Sequence, residues 1–201
     1  MRLVDSHAHL DFSDFDNDRE EVLRRASVAG VVAIVNVGAD LSSSQRSVEL
    51  ASDHAEVFAA VGVHPHEAGK VTEEDWSKLE ELAGHPRVVA VGEVGLDYYR
   101  DLSPREKQAE VFERQLDLAR RKDLPLAVHC REAHGEVMAS GQTPPSGRNA
   151  FTFRFASSVA PAFSPAPKAG IPQHVCSFGT TTVVPILVRA SKTLCAACGR
   201  R

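Results

Sequence analysis

Acidic residues are absent from the last 63 positions of this 201-residue chain. All 27 Asp and Glu lie in 1–138 beside 16 Lys and Arg, whereas 139–201 holds the other seven Lys and Arg. The first stretch therefore carries −11 and the second +7, within a whole-chain net charge of −4. That balance argues against polyanion binding by bulk charge alone. Long hydrophobic runs are also missing: none approaches the roughly 18–20 residues of a membrane span, so no membrane partner is expected. The start, Met1-Arg-Leu-Val-Asp5, has no signal-peptide apolar core, which makes the cytoplasm the expected compartment. Cysteine is scarce, at 130, 176, 195 and 198 only, and does not suggest a disulfide scaffold in a chain of this size.

The tail also contains seven of the 11 prolines and three of the four cysteines. The composition thus breaks near 138/139, and the chain reads as two segments. In 139–201, Phe151-Thr-Phe-Arg-Phe155 alternates like a strand and Val183-Val-Pro-Ile-Leu-Val188 is apolar but interrupted by Pro185. Between them runs an Ala/Ser/Pro-rich stretch without periodicity. The tail is expected to be irregular and poorly ordered.

Residues 1–138 alternate short apolar runs with helical patterns. Arg2–Asp5, Val31–Val37, Val57–Val63, Val88–Glu93 and Leu124–Val128 read as strands. Helical faces follow at 18–29, about 42–54, from Thr72 to Gly84, and along Ala109, Phe112, Leu116 and Ala119. Ser103-Pro104-Arg105-Glu106 reads as a capping box that opens the last of these. Five βα repeats of this rhythm predict a parallel α/β fold.

The chemically informative residues cluster at strand ends. His7 and His9 end the first strand as Asp5-Ser-His-Ala-His9, a spacing that puts both imidazoles on one strand face. His64 and His66 follow the third strand, Glu93 ends the fourth and His129 ends the fifth. Singly, each has an ordinary explanation, such as a turn, a cap or a satisfied rim histidine. Jointly, they sit on the edge where parallel α/β folds place their sites. Imidazole with carboxylate suits Zn²⁺ or Mn²⁺ better than Ca²⁺, and Mg²⁺ can join through the carboxylate.

Four segments then carry a resemblance. They are Leu3-Val-Asp-Ser-His-Ala-His-Leu-Asp11, Gly62-Val-His-Pro-His66, Val91-Gly-Glu-Val-Gly-Leu-Asp-Tyr-Tyr99 and Leu124-Pro-Leu-Ala-Val-His-Cys-Arg131. In order and spacing the sequence resembles the TatD family of metal-dependent hydrolases, from residue 1 to about 138. The resemblance implies a TIM-barrel-like (β/α)8 fold, here incomplete at about five βα units, and a deoxyribonuclease that cleaves DNA phosphodiesters. It implies two divalent metal ions, Mg, Mn or Zn, with His7 and His9 on one, Glu93 shared and catalytic, and His129 on the other. His64, His66 and Arg131 would face the substrate, DNA taken as single strands or 3′ ends, with Arg100 a second candidate for phosphate.

The family's later His-Cys-Phe-Ser-Gly-like and Glu-Thr-Asp-like segments are missing, and no Asp follows Asp123. A reading-frame shift near codon 139, a gene-model error or a splice change would explain the break. The other readings are an amidohydrolase-type C–N or lactone hydrolase and a catalytically inactive fragment. The amidohydrolase reading is weakened because Glu93 stands where those enzymes commonly use a modified Lys. Two features of the tail remain as weaker expectations: a zinc site from His174, Cys176, Cys195 and Cys198, and a basic nucleic-acid arm.

Overall fold

In the computed structural model, residues 2–142 are described. The tail strands, its disorder and its zinc site are therefore expectations that lie outside the described residues. Five strands, β1 (Leu3–Ala8), β2 (Val31–Val37), β3 (Val57–Val61), β4 (Val88–Asp97) and β5 (Leu126–Arg131), pair in sequence order. Every pairing is parallel. The helices α1 (Arg19–Val28), α2 (Leu41–Asp53), α3 (Glu73–Leu82), α4 (Arg105–Lys122) and α5 (His134–Gln142) follow the strands in turn. The sheet curls into half of a TIM-like barrel.

The curl separates two apolar layers. Toward the helices, Ile34, Val57, Val91 and Leu96 pack with Phe112 and Leu116 of α4. On the inner face Val35, Val37, Ala60, Val89 and Ala90 form a smaller cluster of sheet residues alone, with Phe58 against it.

Local chemistry sets the helix starts. Asp40 caps α2 and Thr72 caps α3, each through a reciprocal pair with Ser43 and Asp75 respectively. The expected box at Ser103 does not form, because α4 begins at Arg105 with Pro104 as its cap residue and no side-chain cap bond. The buried Ser103 hydroxyl instead donates to the His66 carbonyl at 2.8 Å and accepts from the Gly69 amide at 3.0 Å. It therefore ties the His64–His66 loop to the α4 entrance.

The strands also run further than the apolar runs suggested. Three of them, β1, β4 and β5, continue through His7, Glu93 to Asp97, and His129 to Arg131, so polar site residues stand inside the sheet rather than after it.

At the opposite end of the sheet, Arg87 holds the α2 terminus. Its Nε donates to Ala51 O at 2.8 Å, and Nη2 donates to Ala55 O at 2.8 Å, to His54 O at 3.1 Å and to Val57 O. The guanidinium lies 4.1 Å over the Phe58 ring. Arg87→Ala is expected to lower unfolding stability in urea by about 2–3 kcal/mol, since it orphans several carbonyls at once. Arg87→Lys should recover less than half, because a point charge cannot replace a planar fork.

Candidate metal centre

The imidazoles of the sheet rim sit on strand ends or on the loops that follow them. His7 lies on β1 and His9 follows just after its end, and their Nε2 atoms come within 3.3 Å of each other. His9 Nδ1 donates to the Val37 carbonyl at 2.8 Å, which leaves its Nε2 lone pair facing His7 and Glu93. His7 Nδ1 is buried without a hydrogen-bond partner among the described residues.

Glu93 stands between two sets of imidazoles. Its Oε2 is 3.3 Å from His7 Nε2 and 3.9 Å from His9 Nε2. Its Oε1 is 3.0 Å from His129 Nδ1 and 3.9 Å from His64 Nε2. Burial by itself would raise this carboxyl. Hydrogen bonds from His129 and His7, with the charges of His7 and His64, outweigh that and hold it well below the usual carboxylate range.

The other side is organised by Asp97, a residue quoted in the motif above but given no role there. Its buried carboxylate accepts from His66 Nε2 at 2.8 Å and from His129 Nε2 at 3.0 Å through Oδ2. Oδ1 accepts the amides of Tyr99 and Arg100 at 3.1 and 2.8 Å. Burial pushes Asp97 up, but the Arg100 amide and the two imidazoles bring it down to about 2. The sequence signal is present, since Glu93, Gly95 and Asp97 share one strand face, but the apolar run ends before Glu93 and hides the extension.

The histidines divide by their hydrogen bonds. His64 Nδ1 accepts the His66 amide at 3.1 Å, so its neutral form carries the proton on Nε2, which lies 3.2 Å from His129 Nδ1. Burial pushes His64 down to about 3 against the pull of Glu93. His9 is likewise lowered, by burial and by the charge of His7. For His129, burial is overcome by hydrogen bonds and charge from Glu93 and Asp97, which raise it. Two groups of potential ligand atoms result, His7/His9/Glu93 and His64/His66/His129, each set lying within 4.8 Å. The donor set of imidazoles and a carboxylate fits a first-row divalent ion.

Strand geometry permits this crowding. At Gly95, φ is 140°, and a Cβ there would stand 1.9 Å from the His129 carbonyl. A side chain at 95 would push β5, and His129 with it, away from Glu93. Arg131, paired across the sheet with Asp97, is half-buried with its guanidinium 3.7 Å over the Tyr99 ring. Arg100 is exposed and touches Asp97 through its backbone. All seven residues expected at the site thus lie on this rim, with His7 and His9 on one side of Glu93, His64, His66 and His129 on the other, and Arg131 at its margin.

Over residues 4–160 the chain matches the family model described as TatD-related DNase. The chain belongs to this family. An uncharacterized metal-dependent hydrolase, YabD, from Bacillus subtilis strain 168 is 43% identical over 136 residues, 68% of this chain and 53% of that protein. The 3′-5′ ssDNA/RNA exonuclease TatD of Cronobacter turicensis is 39% identical over 137 residues, 68% of this chain and 52% of its own length. Among solved structures, the TatD homologue YjjV of Escherichia coli K12 superposes with a TM-score of 0.65 at 35% identity, covering 69% of this chain and 54% of that one. The chain therefore spans about half the length of these TatD relatives. Among the described residues no helix is long and apolar enough to cross a membrane.

The Asp97 contacts make stability of the metal-free chain pH-dependent. Its carboxyl is held below the ordinary value of 3.8, so it contributes stability above that pH and loses it as pH falls toward about 2. In EDTA, Asp97→Asn should unfold at lower urea than the parent at pH 7, and the gap should close between about pH 4 and 2. A gap that stays constant over that range would remove the carboxylate's charge from the account.

Proposed function

We propose that the chain carries a two-cation phosphodiesterase centre acting on single-stranded nucleic acid, DNA foremost, at strand ends. One observation carries this reading: the two oxygens of a single buried carboxylate, Glu93, face two different imidazole sets. His7 and His9 would hold one ion with Glu93, and His129 would hold the second with the same carboxylate. Bound there, divalent ions supply an activated water and neutralise charge on the scissile phosphate.

The remaining residues act on geometry and charge. His9 is kept in the tautomer that exposes Nε2 by the Val37 carbonyl. Asp97 holds His129 and His66 in one orientation through a shared oxygen. His64, with its proton on Nε2, offers a hydrogen bond to a substrate oxygen. Arg131, stacked on the exposed Tyr99, adds a phosphate donor beside an aromatic face suited to an unpaired base. Support for the substrate class comes from the relatives named as ssDNA/RNA exonucleases.

The sequence supplies no Asp after residue 123. A carboxylate that would complete the first ion and accept the water's proton is therefore missing from this set, and misplacement of a nucleophile by about 1 Å costs on the order of a hundredfold. Release of nucleotides from single-stranded DNA should require Mg²⁺, Mn²⁺ or Zn²⁺ and run at least about a hundredfold below a full-length relative. It should vanish in His7→Ala/His9→Ala and in Glu93→Gln. Turnover that survives EDTA or these substitutions would overturn the assignment. Arg131→Ala should weaken binding of a short single strand about tenfold, the loss of one charge-assisted contact.

A further inference from the structure

The rim histidines of β1 are gripped from behind by a polar cluster that the site itself does not use. At its centre is Asn36, a fully buried amide inside the apolar run Val31–Val37. Its Oδ1 accepts the Leu10 amide at 2.5 Å, and its Nδ2 donates to Asp11 Oδ1 at 2.9 Å and Ser47 Oγ at 2.7 Å. Ser47 passes the chain on to the Ser43 carbonyl at 2.7 Å, anchoring it in α2. Arg46 lies 3.6 Å from the second Asp11 oxygen, which is buried and otherwise without a hydrogen bond among the described residues. Leu10 is held at its other pole as well, where Arg19 Nε donates to its carbonyl at 2.7 Å.

Resting on the metal-centre reading, we infer that Asn36 is a positioning residue for His9, setting the tautomer and aim of that imidazole and hence the affinity of the ion on the His7/His9 side. The reasoning is one of register. Asn36 and Val37 are consecutive on β2, and His9 and Leu10 are consecutive just past the end of β1. The Asn36 side chain fixes the Leu10 amide, and the Val37 carbonyl takes the His9 Nδ1 proton at 2.8 Å. Release of Leu10 lets the chain swing about the β1 end, and the Nδ1–H bond is the first casualty. Without it, nothing in the strand favours the Nδ1–H form, and the Nε2 lone pair is no longer reserved for a cation. Parallel stacking of Phe12 on the His9 ring, at 4.9 Å and 10°, cannot replace the bond, since stacking leaves the two nitrogens equivalent.

A merely structural amide would destabilise the chain without choosing between the two imidazole sets. The test is built on that difference. In the full chain, Co²⁺ affinity is titrated by visible absorption for the parent, Asn36→Ala and the milder Ser47→Ala, in His9→Ala and His129→Ala backgrounds. The His9 tautomer is read without metal, at pH 8, from long-range ¹H–¹⁵N spectra. Asn36→Ala is expected to weaken Co²⁺ binding about 10–100-fold in the His129→Ala background and to have no further effect in the His9→Ala background, as loss of an outer partner does. Ser47→Ala should act in the same direction by a smaller factor, which keeps the test alive if Asn36→Ala does not fold. The metal-free parent should show His9 in its Nδ1–H form and the variants a mixture. Equal weakening in both backgrounds, or an unchanged tautomer, would overturn the role given to Asn36. Were the parent to bind no Co²⁺, the metal-centre reading would fall, and the tautomer measurement alone would decide the positioning role.

Discussion

Everything on the rim depends on keeping one carboxylate ionised in a place where burial disfavours it. Glu93 is only 14% exposed, with imidazole nitrogens at 3.0 and 3.3 Å on its two oxygens. A buried carboxylate without such partners would take up a proton and surrender its charge. The sheet meets that demand by bringing three other strands to the same point: β1 with His7 and His9, β3 through the loop that holds His64, and β5 with His129. A parallel sheet does this economically because all its strands end on one edge. Close passage of β4 past β5 at Gly92 and Gly95 supplies the last ångströms, since a Cβ at either would meet Ala127 or the His129 carbonyl below 3.0 Å.

Most of this was readable from the sequence, for identifiable reasons. The strands are apolar runs between helical faces, and that contrast survives in any single sequence. The His-x-His spacing places two imidazoles on one face whatever the rest of the chain does. Harder to see was where the strands stop. Hydrophobicity marks only the stretch of a strand that faces the core, so β4 seemed to end at Glu93 although it continues to Asp97. Asp97 was lost with that extension. Asn36 is hidden for the opposite reason: one polar residue in an apolar run carries no signal without the buried Ser47 and Asp11 around it. Ser103 shows a third kind of limit. Its local sequence fits a cap, and only the tertiary approach of the His66 loop gives its hydroxyl better partners.

The second tier of hydrogen bonds also explains why six polar side chains can share one small space without a wrong arrangement winning. Imidazoles are ambiguous, since either nitrogen can carry the proton. Here the ambiguity is removed by fixed backbone groups: the Val37 carbonyl for His9 and the His66 amide for His64. The same kind of bond gives opposite outcomes. A carbonyl at Nδ1 turns Nε2 into a lone pair, while an amide at Nδ1 turns Nε2 into a donor. His9 is thereby suited to a cation and His64 to an oxygen, although both are buried imidazoles beside the same carboxylate.

That division bears on the charge problem posed by the composition. A segment with a net charge of −11 repels a phosphodiester at long range, so attraction has to be generated locally. His9 and His64 do not supply it, because burial lowers both, and the raised His129 is already paired with Glu93 and Asp97. Two carboxylates held below their usual range, Glu93 and Asp97, make the rim an acidic place suited to divalent cations. Two such ions would reverse its sign within a few ångströms, while the acidic body stays unchanged. Affinity for substrate and affinity for metal are then one property. On the proposed two-cation reading, a change that loosens His7 or His9 would cost the ion first, and through the ion the phosphate.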